Sequence, residues 1–168
     1  MVKENIALIG MPGSGKSTVG VGLAKALGKT FIDTDLMIQR MKNRPLQEII
    51  GKDGVEEFLA SEENVIFQIE TNNSVIATGG SVIYSEDAMN HLKKNSILIY
   101  LRITYEEMKK RLNNIETRGI VWRKERTLLN LYNERIPKYE KYADITVDCS
   151  SIEIDDIIEI INEKIALL

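Results

Sequence analysis

The chain has 168 residues, which is enough for one well-buried domain and too few for two typical ones. Its 22 Lys and Arg residues against 25 Asp and Glu give a net charge of -3, and this balance argues against a partner such as nucleic acid or an anionic membrane. No apolar run approaches the roughly 20 residues that cross a bilayer, we expect no secretory signal at the start, and the single Cys149 cannot form an internal disulfide. We therefore expect one cytoplasmic domain over residues 1–168, a monomer that acts on a small molecule.

Short apolar strands alternate with helical patterns along the whole chain. Near-continuous apolar character is typical of parallel strands that are covered on both faces, and it predicts strands at 5–10, 29–33, 74–78, 96–101 and 143–148. Cap residues and helical periodicity predict helices that begin near Lys16, Thr34, Ser85 and Thr104, and a last helix over 152–168. Gly28 is expected to end the first helix. This alternation predicts a three-layer α/β domain with right-handed crossovers.

The most specific motif lies between the first predicted strand and the first predicted helix. Residues 10–17, GMPGSGKS, match the whole pattern G-x-x-x-x-G-K-[ST]. Gly10, Gly13 and Gly15 let the backbone curl so that N–H groups point at phosphate oxygens, and the helix that follows adds the positive end of its dipole. Lys16 is expected to reach the β- and γ-phosphates, and the Ser17 hydroxyl is expected to bind Mg²⁺. The motif therefore predicts ATP or GTP together with magnesium.

Two carboxylates, Asp33 and Asp35, follow the second predicted strand in the sequence FIDTD. Magnesium beside Ser17 requires further oxygen ligands, and Asp33 at the strand end is well placed to supply one. Aspartate is also common at strand ends and as a helix cap. Because a helix is predicted to begin at Thr34, the direction of Asp35 stays open. Capping and a role in the site therefore remain alternatives for both acids.

Two later segments are also candidates for the site. Gly79 and Gly80 follow the third predicted strand, where paired glycines either form a simple turn or permit close approach of a substrate to the backbone. Residues 109–126 carry seven basic residues and two acids. Such a charge run is either a solvated surface or, next to a nucleotide, a lid whose cations cover the transferred group and exclude water. Trp122 either packs that lid or is exposed on a loop.

With these residues considered together, the chain resembles the shikimate kinases, small P-loop enzymes related to nucleoside monophosphate kinases. The resemblance covers nearly the whole chain and rests on GMPGSGKSTVG, FIDTD, the ATGG turn, the arginine of ETRG, and ERIPKYEKYAD. It implies an α/β/α P-loop kinase fold with a five-stranded parallel sheet of order 2-3-1-4-5 and a mobile lid. It also implies ATP and Mg²⁺ as cofactors and phosphorylation of the 3-hydroxyl group of shikimate in aromatic amino acid biosynthesis.

The resemblance further implies roles for individual residues. The residues it assigns to ATP are Gly13, Ser14, Gly15, Lys16, Ser17, Thr18 and Arg111. The residues it assigns to the substrate are Asp35, Gly79, Gly80, Arg118 and Arg135. Ser17 and Asp33 would hold Mg²⁺, and the catalytic residues would be Lys16, Asp35, which accepts the proton, and Arg118. The substrate-binding region is expected at about 34–60 and the lid, with Arg118, at about 113–125.

Three residues depart from the pattern of that family. Leu59, in EFLASE, stands where a second arginine that grips the substrate carboxylate is expected, Ser81 replaces the third glycine of a triplet, and Gly119 replaces the proline after the lid arginine. The change at Leu59 matters most, because a hydrogen bond to a charged group contributes about 1.5 to 3 kcal/mol. It leaves open a kinase of the same fold for another small hydroxylated metabolite. A nucleotide-binding regulator without catalysis is a third alternative.

Overall fold

The computed structural model describes residues 3–112 and 127–168. Its centre is a parallel sheet of five strands in the order β2-β3-β1-β4-β5. The strands are β1 (Asn5–Ile9), β2 (Thr30–Asp33), β3 (Ser74–Ala77), β4 (Ser96–Arg102) and β5 (Ile145–Asp148). All five predicted strands are confirmed, and so are the α/β class and the strand order.

Helices connect the strands and cover the sheet. They are α1 (Lys16–Leu27), α2 (Thr34–Lys42), α3 (Leu46–Asp53), α4 (Val55–Phe67), α5 (Glu86–Asn95), α6 (Tyr105–Leu112), α7 (Leu128–Tyr142) and α8 (Ile154–Ala166), with a 3-10 turn at Val82–Tyr84. Helix α1 ends at Gly28, whose φ of 63° is left-handed, and the side chains of Ser85 and Thr104 cap α5 and α6 as predicted. Helices α3, α4 and α7 have no counterpart among the predicted elements.

Burial differs between the inner and the outer strands. Every residue of β1 and β3 is buried, and β4 is buried over most of its length. In contrast, β5 alternates buried and exposed residues and β2 has no buried residue. The prediction that all five strands are covered on both faces is therefore wrong for the two edge strands, because the helices lie mainly over the centre of the sheet.

The strand order determines where the predicted site segments meet. The motif of residues 10–17 follows β1, Asp33 ends β2, and Gly79 follows β3. Because these three strands are parallel neighbours, their carboxyl ends lie side by side at one edge of the sheet. Ligands of open α/β sheets bind at this edge. Among the helices that the structure describes, none combines the length and apolar character of a membrane span.

Candidate active site

A cavity of about 350 Å³ opens at the carboxyl ends of β1, β2 and β3. It is lined by most of the predicted site residues that the structure describes, and only Ser14 and Arg111 of that group are not part of the lining. Arg118, Gly119, Trp122 and the predicted lid over 113–125 lie outside the described residues. We call the part of the cavity near residues 10–17 the nucleotide end and the part near Asp35 and Arg135 the acceptor end.

The phosphate loop, residues 10–17, has the curled backbone that its sequence predicts. Gly13 and Gly15 have φ values of 77° and 94°, which side-chain-bearing residues rarely adopt. The first turn of α1 contains no acidic residue of its own, and Lys16, Ser17 and Thr18 of this turn line the cavity. The loop therefore has the geometry of an anion site built from backbone groups.

Lys16 projects back into the phosphate loop. Its Nζ donates hydrogen bonds to the carbonyl oxygens of Gly10 and Met11, both at 2.8 Å, and lies 3.5 Å from Ser14 Oγ. Burial lowers the pKa of Lys16 to about 8, and the nearby charge of Asp35 opposes this shift. An ammonium group in such a dry position interacts strongly with phosphate oxygens.

Ser17 and Asp33 form a hydrogen-bonded pair at the base of the cavity. Ser17 Oγ donates to Asp33 Oδ2 at 2.7 Å, while Asp33 Oδ1 accepts from the backbone N–H groups of Asp35 at 3.0 Å and Leu36 at 3.3 Å. Asp33 is therefore the N-cap of α2, and its second oxygen faces the serine. No cluster of three or more metal-ligating side chains occurs within the part of the chain described. A hydroxyl and one carboxylate fit Mg²⁺, which keeps water and phosphate oxygens as its other ligands.

Arg111 lies beside the phosphate loop, outside the cavity lining. Its Nη1 donates to the carbonyl oxygen of Gly13 at 3.0 Å, and its Nε donates to Glu107 Oε1 at 2.8 Å. These two contacts fix the guanidinium group against the outer side of the loop. Its predicted place near the nucleotide is therefore compatible with where α6 carries it.

Two carboxylates converge on Gly79 at the acceptor end. A Cβ atom at Gly79 would stand 2.0 Å from Glu62 Oε1 and 3.0 Å from Asp35 Oδ1. The Gly79 N–H donates to Thr34 Oγ1 at 3.1 Å, which ties the turn after β3 to the start of α2. This position requires glycine, because any side chain would displace one of the acids.

Arg135 and Gly80 form the opposite wall of the acceptor end. Arg135 is 1% exposed, and its Nη1 lies 3.1 Å from where a Cβ atom of Gly80 would stand. The carbonyl oxygen of Gly80 accepts a hydrogen bond from Tyr139 Oη at 2.6 Å. Two residues of α7, one turn apart, therefore set the position of Gly80. Tyr139 was not predicted as part of the site.

Glu62 is a second residue that the sequence did not single out. It is 1% exposed, its Oε2 accepts a hydrogen bond from Ser81 Oγ at 2.6 Å, and its Oε1 has no hydrogen-bond partner among the described residues. Burial raises the pKa of Glu62 to about 7, the Ser81 hydrogen bond opposes this, and the charge of Asp35 adds to it. The sequence contained one signal for Glu62: it lies three residues after Leu59, and residues at this spacing are neighbours on one face of a helix.

Leu59 does not line the main cavity. Together with Ser81 and Tyr84 it lines a second cavity of about 260 Å³, and Glu62 and Ser81 contribute to the walls of both cavities. The hydrogen bond between Glu62 and Ser81 therefore lies between the two spaces. Two of the three departures from the family pattern, Leu59 and Ser81, meet at this one place.

Comparisons with known proteins identify the family of the chain. A sequence model of the shikimate kinase family matches residues 12–166. The shikimate kinase of Thiobacillus denitrificans is 34% identical over 99% of this chain and 92% of its own length. The structure of the Acinetobacter baumannii shikimate kinase in complex with shikimate is 30% identical, with a TM-score of 0.90 over 97% of this chain and 93% of that chain. Deoxyadenosine kinase from M. mycoides shares the fold, with a TM-score of 0.61 at 18% identity.

Proposed function

We propose that this chain, which belongs to the shikimate kinase family, transfers the γ-phosphoryl group of ATP to the 3-hydroxyl group of shikimate. The observation that carries the proposal is a single cavity in which a complete phosphate loop faces Asp35 and Arg135. The phosphate loop fits a nucleoside triphosphate. Asp35 and Arg135 fit a small molecule with hydroxyl groups and a carboxylate. The resemblance and the geometry thus support the same reaction.

At the nucleotide end, the loop N–H groups bind phosphate oxygens and Lys16 moves its hydrogen bonds from two carbonyl oxygens to the β- and γ-phosphates. Ser17 and Asp33 would hold magnesium, which would neutralise charge on the phosphates. We assign Arg111 to the nucleotide because it braces Gly13. Arg118, in the proposed lid over 113–125, is assigned to the transferred group.

At the acceptor end, Asp35 accepts a hydrogen bond from the attacking hydroxyl group and receives its proton during transfer. Arg135 binds the carboxylate of the acceptor, so the molecule is held at both of its ends. Gly79 and Gly80 are assigned to the ring of the acceptor, and a side chain at either position would press on the residues around it, Glu62 and Asp35 at Gly79 and Arg135 at Gly80. Phosphoryl transfer needs mainly such positioning and charge stabilisation.

We further propose that residues 1–168 form one domain that acts as a cytoplasmic monomer, with neither nucleic acid nor membrane as a partner. The net charge of -3 supports the part of this proposal that concerns nucleic acid and membranes, because a chain that is acidic overall is not attracted to a polyanion. Light scattering of the purified protein should give the mass of one chain, and a mass of two chains would contradict the proposed monomer.

The reaction can be tested by measuring ADP release with ATP, Mg²⁺ and a panel of acceptors. The panel contains shikimate, cyclic polyols without a carboxylate, and cyclic acids without the 3-hydroxyl group. Turnover of shikimate well above the reaction without acceptor is expected. Faster turnover of a polyol would favour another metabolite, as Leu59 suggests. Nucleotide binding with no turnover of any acceptor would favour a regulator.

A further inference from the structure

Two cations of helix α7 lie against the ring of one tyrosine beside the acceptor end. The Arg135 Cζ atom is 5.2 Å from the centroid of the Tyr84 ring, and the Lys138 Nζ atom is 5.6 Å from it. Both distances lie within the range of cation–π contacts. Residues three apart on a helix share a face, so the two positive charges belong to one surface of α7.

Tyr84 connects this surface to the place where an arginine was expected. Its side chain lines the second cavity together with Leu59 and Ser81. Its Oη accepts a hydrogen bond from Arg135 Nε at 3.3 Å and donates one to Glu134 Oε1 at 2.7 Å. The ring is therefore held in a fixed position between α7 and the cavity of Leu59. Position 59 on α4 is apolar, and the cations that contact Tyr84 come from α7. Arg135 lines the main cavity, and Lys138 lies behind Tyr84, outside the lining of both cavities.

The charge of Lys138 is not used by another part of the described structure. Lys141, one turn further along α7, lies 3.7 Å from Glu86 Oε1. Lys138 forms no ion pair with any residue in 3–112 or 127–168, and its contact with Tyr84 is a ring contact. Lys138 is a partly buried residue, and a lysine without a carboxylate partner in the described residues is suited to an anion that arrives with a ligand.

We propose that Lys138 is a specificity residue that supplies the second positive charge for the acceptor's carboxylate, in place of the arginine that is absent at Leu59. Tyr84 is the positioning residue, because its ring contacts both Arg135 and Lys138. This inference rests on the proposed function, because it requires an acceptor whose carboxylate meets Arg135. A lysine is a point charge without the fork of an arginine, so it attracts the carboxylate without fixing its orientation.

The test compares Lys138→Met with Lys141→Met, which removes the same charge from the same helix one turn away. Initial rates are measured with shikimate and with its methyl ester, which keeps the hydroxyl groups and lacks the negative charge. Lys138→Met should raise the KM for shikimate about three- to tenfold, as expected for loss of one partly screened charge contact. The KM values for ATP and for the methyl ester should not change, and Lys141→Met should match the parent.

A second variant separates charge from local damage. Adding Leu59→Arg to Lys138→Met should return the KM for shikimate to near the parental value, because the positive charge is restored from α4. The inference is overturned if Lys138→Met and Lys141→Met have equal KM values for shikimate, or if Lys138→Met affects acid and ester alike. If the parent does not turn over shikimate at all, the proposed function fails first, and the inference fails with it.

Discussion

The nucleotide end and the acceptor end of the site are built from different parts of the sequence. The phosphate-binding part of the nucleotide end comes from one continuous segment, residues 10–18, in which backbone carbonyl groups hold Lys16, and Asp33 and Arg111 contact this segment from outside it. The acceptor end comes from side chains of separate elements, namely Asp35 on α2, Glu62 on α4 and Arg135 on α7. Backbone geometry depends on a few glycines, whereas a pocket of side chains changes with every substitution in it.

This difference explains where the chain departs from its family. The phosphate loop keeps its full motif, while Leu59 and Ser81 both lie next to the acceptor end. A carboxylate-binding site can be rebuilt from another helix without disturbing the loop. The difference also means that substitutions at one end should leave ligand binding at the other end largely intact, and the following variants test this separation.

The largest effect is expected from Lys16→Met at the nucleotide end. Lys16 is buried and is proposed to contact the transferred group, so its removal should lower kcat at least about 1000-fold. The assay is ADP release with saturating ATP and acceptor. Lys25→Met, on the last turn of the same helix, is the matched control and should keep the parental rate. If Lys16→Met kept more than a tenth of the parental kcat, the role of Lys16 would be wrong.

Gly79→Ala should act on the acceptor end alone. The new methyl group would stand 2.0 Å from Glu62 Oε1, so at least one acid must move. Displacement of this kind should lower kcat/KM for the acceptor about 100-fold. The KM for ATP should stay unchanged. The control is Gly51→Ala, since a Cβ there meets no atom within 4 Å. Equal losses for ATP and acceptor would contradict the separation of the two ends.

Glu62→Gln should remove a pH dependence of stability. The pKa of Glu62 is raised by burial from 4.5 to about 7, so the folded protein keeps a proton that the unfolded chain releases between these values. This proton on Glu62 stabilises the folded protein fully below pH 4.5, and the stabilisation is lost as the pH rises through about 7. Across this pH window, the free energy of unfolding of the parent should therefore fall by roughly 2 to 3 kcal/mol relative to that of Glu62→Gln.

Urea unfolding of the parent and of Glu62→Gln at pH 5 and pH 8 measures this difference. Glu63→Gln makes the same charge change at the next, partly exposed position and should follow the parent. Identical pH profiles for Glu62→Gln and the parent would show that Glu62 titrates normally in the folded protein.

Leu59→Arg should have the smallest effect if Lys138 already provides the second charge. The KM for shikimate should fall only about two- to threefold, since an added charge contact at a screened position contributes less than 1 kcal/mol. Leu59→Met is the control for the change of shape. A fall of tenfold or more would mean that the acceptor end of the parent lacks a second cation.

Local signals account for the parts of the fold that were predicted. The caps at Ser85 and Thr104 and the stop at Gly28 are visible within a few residues of sequence. Helices α4 and α7 were missed because their patterns are interrupted. Helix α4 buries the charged Glu62 on its inner face, and α7 contains Pro137 within its length.

In the site, too, the features that could be predicted are those that a short stretch of sequence defines. The phosphate loop is a single contiguous motif, so its geometry could be predicted from eight letters of sequence. The convergence of Glu62 with Asp35 on Gly79 joins three elements, and no spacing in the sequence reports such a meeting. Likewise, the contacts of Tyr84 with Arg135 and of Tyr139 with Gly80 span more than 50 positions. Residues that act through distant partners require the structure.

Asp33 joins the two ends of the site through one side chain. Its Oδ2 accepts from Ser17, and its Oδ1 caps α2, the helix that carries Asp35. If binding of one ligand moved this carboxylate, the start of the helix that carries Asp35 would move with it. Coupling of this kind is reciprocal, so any factor by which nucleotide changes acceptor affinity must equal the factor by which acceptor changes nucleotide affinity. The total free energy of binding both ligands is therefore the same whichever ligand binds first.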